Sequence, residues 1–403
     1  MSMSQHQTHH PPATSQIPNE LLGDLLWLAV SSADDYVPSH FHIRYKTLSA
    51  IRRVCRHWNH IALSMTQLWR RVAVDVTTRT SRYPPPDVVN QWIQRTKGVQ
   101  PIEILISMPS DQSPIRHSHA QAIFNVLSPY MIHWGELWFL SELGIEGFPR
   151  DLSRARHLTK LSIDAGILDE DAIEVVGPSF VTFPGIIREL HLEVATFDWI
   201  TLWGRYYNMR LSGLETLGLQ YEGWMEGVLN ILSETRTSLT SANIHVDGQW
   251  SASPEYHTLS PDAQFTSFPM LRHLRLEIYD ANLDLFKFLE MGGLKVLEVS
   301  ITWSEVPRHA RNIGPLLSFI EDRSPSLHTC AMWFDELRSN RSTQFFRSPT
   351  LSRLSTYKIC NVKVESNTRQ IIASSASHNI MNRISLIPEP SPGRFSVGWT
   401  GHS

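Results

Sequence analysis

Nucleophilic catalysis needs a base beside the nucleophile, and a structural metal site needs clustered ligands. The chain offers neither at a recognisable spacing. It has no Walker loop, no Gly-x-Ser-x-Gly elbow and no His-Glu-x-x-His pair. Cys55, Cys330 and Cys360 are far apart and odd in number, so they form no zinc spacing and no disulfide framework. Such cysteine usage suits a reducing compartment, cytoplasmic or nuclear. His117-Ser118-His119 has no matching carboxylate pair nearby and reads as part of a solvated loop over Ser107 to His119. His57 and His60 flank Trp58 and read as surface or partner-facing residues. His6, His9 and His10 belong to a polar tail. The chemistry to expect is recognition between surfaces, with no cofactor, no metal and no catalytic residue.

Recognition needs rigid elements, and the stretch from Ile17 to Trp69 supplies the clearest ones. Pro18 suits the start of a helix, where its missing N–H costs nothing. Glu20 sits in the same first turn, where the helix dipole favours negative charge. Leu22, Leu25, Leu26 and Ala29 follow at i, i+3, i+4 and i+7 and predict an apolar stripe. A polar gap runs from Ser31 to about Lys46. Leu48, Ile51, Cys55, Trp58 and Ala62 then predict one continuous second helix, with Arg52, Arg53, Arg56 and Asn59 away from the centre of its face. Leu68-Trp69 precedes a strand-like run over Val72 to Val76.

These residues, in this order, resemble the F-box family. Ile17-Pro18-x-Glu20-Leu21-Leu22 is similar to the family's opening Leu-Pro-x-Glu pattern, and Leu25-Leu26 to the pair that follows. Val54-Cys55-Arg56-x-Trp58 matches the family signature, and Ile61-Ala62 and Leu68-Trp69 match the closing pairs. The Leu-Trp version followed by a short strand is similar to the large fungal group. The gap from Ser31 to Lys46 is longer than in the shortest members, an insertion that loops tolerate cheaply. The resemblance implies that Ile17, Pro18, Glu20, Leu21, Leu22, Leu25, Leu26, Val54, Cys55, Trp58, Leu68 and Trp69 dock a Skp1-like adaptor and, through it, a cullin.

Composition is compatible with that reading. The 403 residues are 42% hydrophobic with 13 Trp, enough for one large and one small domain. A net charge of -3 gives no global case for nucleic acid or a membrane surface. No apolar run is long enough to predict a transmembrane helix. Residues 1–15 lack the apolar core of a secretory signal and read as disordered.

The remainder repeats itself. Strand-like runs recur at Leu158–Ile163, Ile187–Val194, Leu214–Leu219, Leu239–Val246, Leu271–Ile278 and Leu294–Ile301, with weaker copies at Trp134, Leu327 and Leu351. Amphipathic spacing at Met225, Val228, Leu229 and Leu232, and at Ile313, Leu316, Leu317 and Ile320, predicts helices between strands. The spacing is similar to that of leucine-rich repeats, with an ordinary α/β domain of βα units as the alternative. Their usual Asn or Cys is replaced by Gly166, Ala195, Glu222, Asp247, Tyr279 and Thr302.

The fold class expected is α+β multidomain, with a small all-α F-box over residues 16–76 followed by an irregular leucine-rich-repeat-like α/β solenoid over 99–387. A connecting segment over 77–98 carries a helix capped by Asp87 and ended by Gly98. Ile102–Ile106 is the expected first solenoid strand. Asp247 to Pro269 is a long polar insertion, and residues 388–403 read as a flexible tail.

Strand alternation assigns an outward face. Lys160, Glu189, His191, Glu193, His273, Arg275, Glu277 and Glu298 fall on it and are the candidate contacts to a protein substrate. The expected function is a non-catalytic, substrate-recognition subunit of a Skp1-cullin-F-box ubiquitin ligase. The alternative is an F-box scaffold without ligase activity.

Overall fold

A computed structural model describes residues 17–31, 41–75, 84–98, 101–108, 114–141, 152–165, 187–194, 211–222, 228, 232–247, 266–279, 283–302, 313–334 and 354–360. The expectations for residues 1–15 and 388–403, and for the middle of the 247–269 insertion, lie outside these. The chain divides into two compact units, Met1–Ile186 and Ile187–Ser403.

The first unit opens with three helices, α1 (Asn19–Ser31), α2 (Phe41–Val54) and α3 (Arg56–Ser64). The Pro18 carbonyl accepts from Leu22 N–H at 2.9 Å and so starts α1. The single second helix expected from spacing is two, because Cys55 is extended (φ -162°, ψ 169°). Its Sγ accepts from Trp58 N–H at 3.5 Å and caps α3. A short polar side chain at a helix start competes with the backbone for hydrogen bonds, and the thiol fills that role here. Part of the expected polar gap is the first turn and a half of α2. Arg44 there is buried, donating to the carbonyls of Val30 at 3.4 Å and Leu68 at 3.2 Å. It thereby satisfies carbonyls left open near the end of α1 and before β1.

Strands β1 (Arg71–Asp75), β2 (Ile102–Met108), β3 (Trp134–Ser141) and β4 (Lys160–Ala165) pair in that order, all parallel. Helices α4 (Pro86–Thr96) and α5 (Pro114–Leu127) fill the first two connections. α4 starts one residue before Asp87, with Pro86 at its first position, and closes through a left-handed Lys97 followed by Gly98 at φ +64°. α5 corrects the expected Ser107–His119 loop: Pro114 opens it and His117-Ser118-His119 lie within it. Its Phe124 ring lies 6.1 Å from that of Phe139 on β3. The inner rows Val72, Ile104, Leu137, Leu161 and Val74, Ile106, Phe139, Ile163 follow the strand register and are buried.

In the second unit β5 (Glu189–Val194), β6 (Thr216–Glu222), β7 (Ser241–Asp247), β9 (His273–Tyr279), β11 (Val296–Thr302), β12 (Thr329–Phe334) and β13 (Thr356–Cys360) pair in parallel in that order. The two-residue strands β8 (Thr266–Ser267) and β10 (Leu289–Glu290) form a separate parallel pair. Leu274 and Leu276 are buried and Arg275 is exposed, as alternation along β9 requires.

The expected architecture, an all-α module followed by a repeat solenoid, is not what the structure shows. The described residues form parallel sheets with helices, an α/β arrangement. Helices α1–α3 do not stand apart: Leu22, Leu26, Tyr45, Leu48, Ile51, Ile61 and Trp69 share one buried cluster with Ala73 of β1 and Leu105 of β2. The expected boundary therefore falls inside a core, and the first strand of the sheet is Arg71–Asp75, not Ile102–Ile106. Nor do the connections repeat a unit. α4 and α5 are full helices, residues 152–159 are turns, and the β11–β12 connection holds a five-residue α6 (Gly314–Ser318) and one π turn.

Tyr45 joins helices to sheet. Its hydroxyl accepts from Ala73 N–H at 2.8 Å and donates to Ala73 C=O, and its ring stacks on Trp92 at 4.2 Å. Tyr45→Phe is expected to lower unfolding free energy by about 1–3 kcal/mol, the cost of stranding buried backbone groups. Urea unfolding of the two proteins measures it, and equal midpoints would refute this role.

Candidate functional site

Two faces carry the residues singled out by sequence. The first lies on α1–α3. Helix α1 is apolar on more than one side, and packing selects which side is hidden. Leu22, Leu26 and Val30 are buried. Leu21, Leu25 and Leu28 are 57%, 53% and 64% exposed, and Val54 at the end of α2 is 55% exposed. The expected stripe through Leu25 and Ala29 is thus turned outward, and the true inner stripe runs through Val30.

The residues of the F-box resemblance accordingly divide. Pro18, Glu20, Leu21, Leu25, Val54 and Cys55 are exposed, Ile17 and Trp58 half-buried, and Leu22, Leu26, Leu68 and Trp69 buried. The buried four belong to the cluster that the helices share with β1 and β2. Trp69 is fixed by its indole N–H, which donates to the Ala62 carbonyl at 2.9 Å. Leu28 was missed by sequence reasoning, although its place three residues after Leu25 and seven after Leu21 signals it.

A second set lies on the strand face opposite the buried rows. In the first unit the register aligns Arg71, Glu103, Glu136 and Lys160 across four strands. Glu103 is buried and bonded by Arg70, with Nε to Oε1 at 2.7 Å, and by Arg71. Burial alone raises its pKa, but the two guanidinium groups more than offset that and hold the carboxyl below its ordinary value. Glu136 has the opposite balance: burial and then the neighbouring Glu103 charge push it up. Lys160 lies with its ammonium 5.0 Å from the centre of the Trp138 ring.

In the second unit the register aligns His191, Gly218, Asn243, Arg275 and Glu298 in one row. The His191 ring fills the space over Gly218, where any Cβ would overlap it. Glu189 and Glu298 are half-buried and His273 is exposed. Glu193 occupies β5 in register with Gln220.

The structure gathers four residues more tightly than sequence suggested. His245 Nδ1 lies 3.2 Å from Glu277 Oε2, and Arg275 Nε donates to Glu277 Oε1 at 3.1 Å. Tyr279 stacks on His245 at 4.9 Å. His245 and Tyr279 were outside the candidate set. Only the cross-strand register, His245 opposite Glu277, brings the pair together.

Cys330 is fully buried, and burial pushes its thiol up to about 12, so it is no nucleophile at neutral pH. Among the described residues no group of His, Cys, Asp and Glu is placed to hold a metal, and no helix is long and apolar enough to cross a membrane. No protein-family model and no curated protein matches the chain.

The Glu277 cluster makes a pH prediction. The His245 hydrogen bond, helped by Arg275, holds the Glu277 carboxyl at about 2, against an ordinary 4.5. A depressed folded-state pKa contributes stability that is complete above the unfolded value and fades as pH falls from 4.5 toward about 2. Glu277→Gln should flatten the acid limb of a melting-temperature profile over that window. An unchanged limb would show that the cluster is not coupled to folding.

Proposed function

We propose that the chain is a non-catalytic substrate-recognition subunit of a Skp1-cullin-F-box ubiquitin ligase, acting in the cytoplasm or nucleus. Helices α1–α3 would dock a Skp1-like adaptor, and the outward strand faces would hold a protein substrate. The observation that carries the proposal is the outer face of α1. Leu21, Leu25 and Leu28 recur at i, i+4 and i+7 and are more than half exposed, although the same helix already buries a complete apolar stripe. Exposed apolar side chains aligned on one face mark an interaction site more often than chance, and helix faces of this spacing are read by grooves or by partner helices. Pro18, Val54 and Cys55, exposed on the same three-helix segment, coincide with the positions that carry the F-box resemblance.

Substrate capture would rest on Glu189, His191, His273, Arg275, Glu277 and Glu298 of the second unit, with Lys160 on the first. Catalysis would come from proximity, since tethering raises the effective concentration of the substrate at the ubiquitin donor.

Leu21→Asp with Leu25→Asp is expected to abolish capture of a Skp1-like adaptor while leaving the melting temperature within a few degrees, because exposed substitutions shift stability by about 0.5 kcal/mol or less. Leu22→Ala should instead destabilise the fold by about 2–5 kcal/mol, since that side chain is fully buried. Adaptor pull-downs and thermal melts on the same samples check both. Undiminished capture by the double variant would remove the docking assignment. Capture without accumulation of any target on loss of the chain would favour the scaffold reading.

A further inference from the structure

Adaptor docking on α1 leaves two cations of the first unit unexplained. The Trp69 ring carries both Arg52, from α2, and Arg95, from α4, with guanidinium carbons 5.9 and 4.4 Å from its centroid. One guanidinium over an indole is attractive. Two brought to one ring repel each other, more strongly where water is partly excluded. The Arg95 pKa is lowered by burial and then by the charge of Arg52.

A partly buried pair of like charges calls for a counter-ion. Among the described residues neither guanidinium has a carboxylate partner. Arg52 Nε donates to the neutral Asn59 amide oxygen at 3.0 Å. The buried carboxylate of this unit, Glu103, is already held by Arg70 and Arg71. Arg53 at the end of α2 and Lys97 at the end of α4 are further exposed cations on the same two helices. Among the described residues no carboxylate answers the paired charge at this seam.

We propose that Arg52 and Arg95, seated on Trp69, form an oxyanion-binding site at the α2–α4 seam. Planar guanidinium forks suit phosphate and carboxylate oxygens, which accept paired hydrogen bonds from them. The Trp69 indole is itself held by its bond to Ala62, so the ring that both guanidinium groups lie against is fixed. The site is distinct from the α1 docking face: Arg52 packs on Trp69, whereas Leu21, Leu25 and Leu28 lie on the solvent side of α1. The chemistry it takes is an oxyanion, a phosphate or a carboxylate.

The test uses the full chain, melted at neutral pH and fixed total ionic strength, with chloride replaced stepwise by inorganic phosphate or by acetate. Phosphate is expected to raise the melting temperature saturably. Arg52→Gln and Arg95→Gln should each raise the half-saturating concentration at least about tenfold, as loss of a charge-assisted hydrogen-bonding group implies. Arg52→Lys and Arg95→Lys keep the charge but lose the fork, and should weaken the response less; they keep the test decisive where a Gln variant does not fold. A response to phosphate alone assigns a phosphorylated group, and a response to both anions assigns carboxylate side chains as well. No response beyond that of chloride, or equal responses in parent and variants, would overturn the site.

Discussion

The first unit depends on a single constraint: a strand at the edge of a parallel sheet has backbone groups with no neighbour. Among the described residues β1 pairs with β2 on one side only. An open edge is a template for unwanted pairing, and buried N–H and C=O groups must find partners. The Tyr45 hydroxyl meets both needs at Ala73, donating once and accepting once. That fixes where α2 sits and brings Tyr45 against Trp92. The helices then cover Ala73 and Leu105, which is why every residue of β2 is buried while β3 alternates.

Covering one face of β2 forces a charge problem that the sequence also solves. Glu103 lies on the covered face, and an ionised carboxylate there is costly without partners. Arg70 and Arg71, adjacent in sequence but reaching it together, supply them. One strand further along, Glu136 lacks such a pair and its proton is held more tightly. The row Arg71, Glu103, Glu136, Lys160 thus grades from a neutralised buried charge to a half-exposed one as the helical cover ends.

Much of this was legible in the residues. Strand alternation around Leu274-Arg275-Leu276 places the outward side chains correctly, because a period of two leaves no ambiguity when apolar and charged residues alternate. Helix α1 was harder. Leu21, Leu22, Leu25, Leu26, Leu28 and Val30 surround it with apolar side chains, so periodicity alone cannot say which side is inside. The break at Cys55 was hidden for a related reason: its spacing continues the helical face, and only its extended backbone interrupts it. The separate all-α module was misjudged because a boundary is a property of packing, and Tyr45 sits in a stretch that reads as polar. The His245–Glu277 pair needs a register between residues 32 positions apart, which no local pattern supplies.

The shared cluster of α1–α3 with Ala73 and Leu105 has a consequence for how the chain is born. Synthesis releases the helices first, yet their inner side chains have no complete surface to close upon until β2 has left the ribosome. Leu22, Leu26 and Trp69 reach full burial only in the cluster that Ala73 and Leu105 complete. A chain ending before Met108 lacks the β2 contribution to the cluster on which the inner side of α1 packs. The inner and outer sides of α1 become distinct only once the sheet has closed the core.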